Sequence, residues 1–408
     1  MRSFPIYTVT AKAEKSLRLG HPWVYAEEIK TMTEAAANGE FVDVRSGKGA
    51  YLGTGWVSES SKIRVRVIST NANDKFDEAF WRRRIRYAIA YRQTVMGDRD
   101  FRACRLIFGE SDQFPGLVVD RFENVLVAQV MSVGIEMRKD MIFRIIVEEL
   151  RAINQQIDVL YERNDVATRT LEGLEQYKDF YTNTDINLTN VHDGHVEIEE
   201  NGLKFDVNYI DGQKTGYFLD QKYNRQAIMK IARGRRVLDC FTHTGAFALH
   251  AHRGGAAHVT AVDISQLAID QARANAERND IHDMDFICAN VFELLTQRCD
   301  RGERTDDFII LDPPAFTKSH ATARDAYRGY KEINLKAMRL LPRGGYLATC
   351  SCSHFMKDDM FREMLIDAAH DANVNLRQIE ARQQSPDHPI LLNVPETNYL
   401  KFYIFQVV

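Results

Sequence analysis

The chain has 408 residues, which is longer than an ordinary single domain and predicts about two or three domains. It is 45% hydrophobic and 27% charged with a net charge of -4, which excludes a generally basic, nonspecific nucleic-acid binder. No apolar run approaches the ~18 residues of a membrane span, and Met1–Pro5 lacks the apolar core of a signal peptide, so we expect a cytoplasmic protein. The 6 cysteines show no zinc-ribbon spacing, so we expect reduced thiols and no metal site.

Residues 1–72 are predicted to form a small β-barrel. β-rich runs alternate with turn signals such as Asn38–Gly39. Ile63–Ile68 alternates in character, so Arg64 and Arg66 share one face of a strand. That face either contacts RNA or is simply solvated, and the residues alone leave both readings open.

Residues 73–188 are predicted to form a middle α/β domain. Asp77–Val95 carries the apolar stripe of a helix, with Arg82, Arg83 and Arg86 on its opposite side. Arg99, Arg102 and Arg105 follow closely, with few acidic residues among these arginines. A patch that contacts RNA phosphates is one interpretation, and an ordinary solvated face is the other.

The rest of the chain leads into a final domain. A helix is predicted over about Gly134–Asn154, and a strand follows around Val159–Glu162. Alternating residues on both sides of Asn201–Gly202 predict a β-hairpin, which we interpret as a linker over 189–211. The final domain is then 212–408.

The stretch Arg235–Pro314 predicts a doubly wound, Rossmann-like α/β domain. Its strands are apolar runs with a polar residue at the carboxyl end, which is typical of a parallel sheet covered on both faces. Ligands bind at the carboxyl ends of such strands. Asp239, Gly245, Asp263 and Asp312 would all lie at that edge.

The same edge indicates the cofactor. Asp263, at the end of the second strand, can accept hydrogen bonds from both hydroxyls of a ribose. With Gly245 in the first turn, this fits either a nicotinamide enzyme or an S-adenosylmethionine (SAM) enzyme. Asp312–Pro314 favours the SAM enzyme, because its prolines stiffen the strand exit and Asp312 would face a flat ring with amine groups.

Two thiols follow the fifth strand of this domain. A buried cysteine is normally only a small hydrophobic residue, but the polar neighbours of Cys350 suit a reactive thiol. Attack of a thiolate on cytosine C6 makes an enamine, and C5 can then take a methyl group. Cys350 is therefore the predicted nucleophile, while Cys352 either resolves the adduct or only packs.

These motifs together resemble the large-subunit ribosomal RNA cytosine-5 methyltransferases of the RlmI-like family. The resemblance covers almost the whole chain and implies that the N-terminal barrel is a PUA domain that binds RNA. The segments that carry the resemblance are Gly20–Tyr25, Phe108–Asp112, Phe114–Arg121, Gly212–Gln221, Asp239–Phe241, Thr244–Gly245, Val262–Ser265, Asp312–Phe316 and Thr349–Ser353.

The resemblance also implies a set of site residues. The residues that would line the SAM site are Lys214, Gln221, Asp239, Phe241, Thr244, Gly245, Asp263, Ile264, Asn290 and Asp312. Asp312 would also orient the cytosine that Cys350 attacks. Asn290 departs from the family, which usually has Asp there, although its amide oxygen can still accept from the adenine amine.

We therefore expect a three-domain enzyme that forms 5-methylcytidine in 23S ribosomal RNA, either free or in a large-subunit precursor. The arginines of the barrel strand and of the helix in the middle domain would contact the RNA. Alternatives are methylation of another base atom, such as guanine N7, and a noncatalytic RNA-binding or assembly factor with a vestigial SAM fold. The chain could act as a monomer or as a homodimer.

Overall fold

The computed structural model describes residues 4–183, 185–189, 193–317 and 323–408. The chain divides into two compact units. Unit 1 consists of Met1–Ile198, Asp206–Leu219 and Pro386–Thr397. Unit 2 consists of Glu199–Phe205, Asp220–Ser385 and Asn398–Val408. The predicted last domain, 212–408, thus contributes residues to both units, and the predicted domain boundaries stay predictions.

The first part of unit 1 is a six-stranded sheet in the order β2-β6-β5-β4-β1-β3. Its strands are β1 (Ile6–Val9), β2 (Trp23–Tyr25), β3 (Ile29–Met32), β4 (Phe41–Arg45), β5 (Tyr51–Val57) and β6 (Ile63–Ser69). Helix α1 (Ala11–Arg18) begins after Thr10, whose hydroxyl accepts from the Ala13 N–H and so satisfies one free donor of the first turn. The β-rich character expected of this region is confirmed.

The second part of unit 1 is a five-stranded sheet in the order β11-β10-β9-β8-β7. Its elements are α2 (Glu78–Asp100), β7 (Ala103–Phe108), β8 (Leu117–Phe122), β9 (Val125–Val130), α3 (Val133–Glu136), α4 (Lys139–Ala152), β10 (Val159–Asn164) and β11 (Tyr177–Phe180). Asp77 caps α2 by accepting from the Phe80 N–H at 3.1 Å. Gly97 interrupts that helix with φ 70 and ψ 171.

The helix predicted over Gly134–Asn154 is in fact two helices, α3 and α4. Arg138 has non-helical φ and ψ at the break, and its guanidinium donates to the carbonyls of Gly134 and Gly39 at 2.9 and 3.0 Å. This side chain satisfies a carbonyl that a continuous helix would have paired internally, so a short helix can end here. Sequence periodicity does not show such a long-range contact.

The predicted hairpin is confirmed. Strands β12 (His195–Glu200) and β13 (Leu203–Asn208) form a two-stranded sheet. Asn201 and Gly202 have φ values of 52° and 80° at the turn. Positive φ at both central positions is the requirement of a type I′ turn, which is why an Asn-Gly pair is found there.

Unit 2 contains a seven-stranded sheet in the order β16-β15-β14-β17-β18-β20-β19. Its strands are β14 (Arg236–Cys240), β15 (His258–Asp263), β16 (Asp285–Cys288), β17 (Phe308–Leu311), β18 (Tyr346–Ser351), β19 (Leu376–Arg382) and β20 (Lys401–Val407). Its helices are α5 (Lys222–Ala232), α6 (Ala246–Arg253), α7 (Gln266–Arg278), α8 (Val291–Arg301), α9 (Ala323–Leu340) and α10 (Asp358–Ala372). The predicted Rossmann-like α/β fold is therefore confirmed.

Strand order reverses at β14, which lies between β15 and β17 with all three strands parallel. Ligands of such sheets bind at the carboxyl ends of the strands at that reversal. The centres of strands β14, β17 and β18 hold Leu238, Ile309 and Leu347, and each of these side chains is 0% exposed. Burial of one such side chain stabilises the fold by roughly 1.5–3 kcal/mol, so this core holds the strand ends in place.

Strand β20 is antiparallel and lies between β18 and β19. The sequence does not predict this strand, because its apolar run resembles those of the parallel strands and pairing order is not a local property. Within the described ranges, no helix combines the length and apolarity needed to cross a membrane.

Candidate active site

The turn after β14 has an uncommon backbone conformation. Phe241, His243 and Gly245 have φ values of 63°, 50° and 82°. A Cβ atom on Gly245 would lie 2.8 Å from Leu249 Cδ1 and 3.0 Å from the Cβ of Ala272, so no larger residue fits without a shift. Residues in such strained conformations cluster at ligand sites. The turn therefore marks this end of the sheet as a candidate binding site.

Asp239 lies on β14 directly before this turn and is 0% exposed. Its Oδ2 accepts from the Thr242 hydroxyl at 2.6 Å, while its Oδ1 has no hydrogen-bond partner among the described residues. Burial raises the pKa of Asp239 to about 8. A buried oxygen without a partner costs about 1–3 kcal/mol, so this site favours a ligand that brings a donor or a positive charge.

Asp263 lies at the end of β15. Its carboxylate accepts from the backbone N–H groups of His243 at 2.9 Å and Ser265 at 3.0 Å. A carboxylate has about four acceptor positions, so capacity remains for further donors such as ribose hydroxyls. Ile264 beside it is 68% exposed and offers an apolar surface to a flat ring.

Asn290 follows β16 and is the N-cap of α8. Its Oδ1 accepts from the Phe292 N–H at 3.0 Å. Asn and Asp are about equally good at this capping position, which explains why the chain can depart from Asp here without losing the helix start. The amide Nδ2 lies 3.4 Å from Glu293 Oε1.

The side chains of Asp312 and Cys350 meet where β17 and β18 end. Cys350 is 1% exposed, its thiol donates to Asp312 Oδ1 at 2.9 Å, and its sulfur lies 3.3 Å from the Leu311 carbonyl oxygen. The Gln221 amide Nε2 donates to the same Asp312 oxygen at 3.2 Å and lies 3.4 Å from the Cys350 sulfur. Asn224 donates to Gln221 Oε1 at 2.6 Å, which fixes the orientation of that amide.

Both groups of this pair have perturbed acidities. Burial raises the pKa of the Cys350 thiol well above its usual value, and the Asp312 carboxylate raises it further. Burial also raises the pKa of Asp312, although its hydrogen bonds from Cys350 and Gln221 oppose that rise. The thiol therefore holds its proton beside a carboxylate that can accept it, which is a geometry suited to proton transfer.

Cys352 lies one residue beyond the end of β18 and is half-buried. The turn that carries it is held by Lys401, whose Nζ donates to the carbonyls of Ser353 at 2.6 Å and Tyr399 at 2.7 Å. The sequence motifs do not point to Lys401. The signal for it is a charged residue at the start of the apolar run Phe402–Val407.

The remaining predicted SAM-site residues fall into two groups. Phe241 and Thr244 lie in the turn after β14, where the Phe241 ring is 6.5 Å from the Phe292 ring and the Thr244 carbonyl accepts from Asn275. Lys214 belongs to unit 1, with its Nζ 4.5 Å from the Phe218 ring centroid. A role for Lys214 in binding SAM stays a prediction.

The arginines predicted to contact RNA have other partners in unit 1. Arg66 is 8% exposed and forms an ion pair with the buried Glu172 at 2.8 Å. Its expected position on an open, solvated or RNA-facing surface is therefore wrong. Arg64 is half-buried and donates to a backbone carbonyl, and Arg83 lies 3.5 Å from Asp74.

The expectation that few acids surround the arginines of α2 is also wrong. Arg82 forms ion pairs with Glu78, Glu148 and Glu149 at 2.5, 2.6 and 2.7 Å. Arg86 pairs with Glu149 at 2.6 Å. Two of these acids lie on α4, distant in sequence, so sequence proximity underestimates the negative charge. The positive charge of this face is largely compensated.

Two family models match the chain. The model described as S-adenosylmethionine-dependent methyltransferase matches residues 148–405, and a PUA-like domain model matches residues 8–70. Solved structures with a similar fold include a protein from Streptococcus mutans described as a SAM-dependent methyltransferase, with 21% identity, a TM-score of 0.80, and coverage of 98% of this chain and 100% of that one. At that identity the likeness shows the fold.

Curated relatives are similar over nearly the full length. Ribosomal RNA large subunit methyltransferase I of Pseudoalteromonas translucida is 41% identical over 97% of this chain and 98% of its own. The proteins of the same name from Photobacterium profundum and Escherichia coli O157:H7 are 41% and 38% identical over 97% of each chain. The chain therefore belongs to the family of SAM-dependent methyltransferases whose curated members are named ribosomal RNA large subunit methyltransferase I.

Proposed function

We propose that the protein methylates C5 of a cytidine in 23S ribosomal RNA through a covalent adduct between Cys350 and cytosine C6. The observation that carries this proposal is the buried hydrogen bond from the Cys350 thiol to Asp312 Oδ1 at 2.9 Å. Methylation of a base amine or ring nitrogen needs no covalent step, so it gives no reason for a thiol at this position. The names of the relatives support ribosomal RNA of the large subunit as the substrate.

The first step in this mechanism is activation of the thiol. Cys350 transfers its proton to Asp312, and the thiolate forms a bond to cytosine C6. The electron pair of the C5–C6 double bond moves through the ring, and N3 takes the proton that Asp312 holds. Burial raises the pKa of Asp312, which makes it a better acceptor, and the 2.9 Å hydrogen bond gives the thiol proton a direct path to it.

The second step is methylation of C5. When bound, SAM would supply an electrophilic methyl group, which C5 of the enamine would accept as the bond from that methyl group to the sulfonium sulfur breaks. Gln221, which contacts both Asp312 and Cys350, would keep the ring aligned with the thiol during this step. A base then removes the C5 proton, the C5–C6 double bond forms again, and Cys350 leaves as a thiolate. N3 returns its proton through Asp312 to the Cys350 sulfur.

The residues at the strand ends fit SAM. Asp263 would accept from the ribose hydroxyls, and the unpartnered Oδ1 of Asp239 would face a donor or the positive charge of the ligand. Ile264 and Asn290 would contact the adenine. The turn that includes Phe241, Thr244 and Gly245, together with Gln221, would complete the part of the site that lies in unit 2. The two backbone hydrogen bonds that fix the Asp263 carboxylate support this assignment, because they hold it ready for the ribose.

The PUA-like region and the middle sheet of unit 1 would hold the RNA by its shape and backbone, while the reacting base leaves its stack. We propose a cytoplasmic enzyme that acts on free 23S RNA or on a precursor particle, as a monomer or a homodimer. Of the three arginines on α2 that are predicted to contact RNA, Arg83 has the longest ion-pair distance, 3.5 Å to Asp74.

An RNA that contains 5-fluorocytidine tests the covalent step, because the fluorine on C5 cannot be removed and the adduct is trapped. Wild-type protein with SAM should give a complex that survives denaturing electrophoresis, and Cys350→Ser should give none while it still binds SAM. Cys299→Ser is the matched control, since this half-buried thiol on α8 lies outside the proposed site. A trapped complex in the Cys350→Ser protein, or none in the wild type, would contradict the proposal. Nucleoside analysis of the product separates 5-methylcytidine from 7-methylguanosine.

A further inference from the structure

Lys401 is a buried lysine next to the two thiols. It is 7% exposed and lies opposite Ser351 in the antiparallel pair of β20 with β18. Both described hydrogen bonds of its ammonium go to backbone carbonyls, those of Ser353 and Tyr399. Across the described ranges it forms no ion pair with a carboxylate. An ammonium buried in this way is unfavourable for folding, which calls for a functional reason.

The groups that face this ammonium are mostly acidic. Burial lowers the pKa of Lys401 to about 8, and Cys352, Asp358 and Cys350 oppose that fall, in that order. Asp358, at the start of α10, accepts from the Tyr403 hydroxyl at 2.5 Å. Cys352 lies between Ser351, which is opposite Lys401 in the strand pair, and Ser353, whose carbonyl accepts from the Lys401 ammonium at 2.6 Å.

Two further groups complete the surroundings of the turn. The His354 ring lies 5.4 Å from the Tyr399 ring. The Asp220 carboxylate accepts from the Tyr399 hydroxyl at 2.6 Å. The Lys401 ammonium therefore bridges the turn that carries Cys352 and the segment just before β20.

We propose that Lys401 is a positioning residue for Cys352: its ammonium holds the turn after β18 and stabilises a negative charge on the Cys352 sulfur. This inference rests on the proposed function, because it makes Cys352 the base that releases the methylated product. Cys352 thiolate takes the C5 proton, and the electrons of the C5–H bond form the C5–C6 double bond. The bond from C6 to the Cys350 sulfur breaks, Cys350 leaves as a thiolate, and Cys352 later loses its proton to solvent.

The first experiment measures the thiol without RNA. In a protein with Cys288→Ser and Cys299→Ser, which removes the exposed thiol and the half-buried thiol on α8, iodoacetamide labelling of Cys352 is followed against pH by mass spectrometry. The midpoint should lie below the ~8.5 of an ordinary cysteine. Lys401→Met should raise that midpoint. If the midpoint rises by about one pH unit, labelling of Cys352 at pH ~7 becomes about tenfold slower. Lys401→Arg should keep most of the effect.

A midpoint at or above that of an ordinary cysteine in the protein with Lys401 intact overturns the inference, and this result does not depend on whether a variant folds. An unchanged midpoint in folded Lys401→Met protein overturns it as well. Retained SAM affinity is the control for folding of unit 2.

The second experiment measures release. With natural cytidine RNA in a single turnover, Lys401→Met should form the Cys350 adduct and accumulate it, with release of methylated RNA slowed about tenfold or more. Cys352→Ser should accumulate the same adduct. Release at the wild-type rate in both variants overturns the inference. Absence of any adduct with 5-fluorocytidine RNA in wild-type protein contradicts the proposed function instead, and the labelling experiment still tests Lys401 and Cys352 by themselves.

Discussion

The Cys350 thiol donates to the Asp312 carboxylate at 2.9 Å across the ends of two neighbouring parallel strands. The pairing of Leu311 with Thr349 places the next residue of each strand side by side. Each partner thereby perturbs the other, because the carboxylate raises the pKa of the thiol and the hydrogen bond limits the rise in the pKa of Asp312. A proton can therefore move between these two residues without any change in the sheet.

Replacement of Asp312 tests this relay. Asp312→Asn keeps the size and the hydrogen bonds of the side chain but cannot take the thiol proton. Single-turnover methylation should fall by about 10²–10⁴-fold, the usual contribution of a general acid–base group, and the 5-fluorocytidine adduct should form correspondingly slowly. Asp285→Asn, an exposed change on strand β16 of the same unit, is the control. Methylation at the wild-type rate in Asp312→Asn would refute the relay.

Replacement of Asp263 tests the cofactor site. Its carboxylate holds two backbone N–H groups, at 2.9 and 3.0 Å, and the proposal adds two ribose hydroxyls. Hydrogen bonds to charged groups contribute ~1.5–3 kcal/mol, so Asp263→Ala should weaken SAM binding by about one to two decades in calorimetry. Asp270→Ala on the adjoining helix α7 should leave the affinity unchanged. If Asp263→Ala binds as tightly as the wild type, the ribose lies elsewhere.

The sequence predicts much of unit 2, since the features concerned are local. Apolar runs that stop at a polar residue place Asp239, Asp263 and Asp312 within one residue of a strand end, and the hairpin follows from Asn201–Gly202. Each of these signals depends on neighbouring residues along the chain.

What the sequence misses depends on contacts between distant segments. Strand β20 and its Lys401 come next to β18 only through the order of the folded sheet. The acids that pair with Arg82 and Arg86 lie mainly on another helix, so counting charges along α2 gives the wrong charge for that face. Helix α3 also ends at a long-range contact, which the Arg138 side chain makes with the Gly39 carbonyl.

Asp239 predicts a dependence of stability on pH. Its pKa in the folded protein is about 8, raised by burial from 3.8, so the folded state holds a proton that the unfolded state has lost between these values. Stability from this group is present below pH ~4 and is lost as the pH rises toward about 8. Asp239→Asn removes that loss, so its melting temperature should exceed that of the wild type increasingly from about pH 5 to about pH 8. A constant difference over that range would contradict the assignment.

The ion pair between Arg66 and Glu172 predicts a structural role for an arginine that the sequence assigns to RNA. Both side chains are almost fully buried in unit 1, and removal of one partner leaves an uncompensated charge inside it. Arg66→Ala should therefore lower the free energy of unfolding by about 3–5 kcal/mol, measured by denaturant titration. Arg66→Met combined with Glu172→Gln removes both charges and should recover much of that loss. RNA affinity and its salt dependence should match the wild type at a temperature where the variants remain folded. Loss of a phosphate contact would instead reduce the slope of log affinity against log salt concentration by about one. A reduced slope with unchanged stability would instead place Arg66 at the RNA.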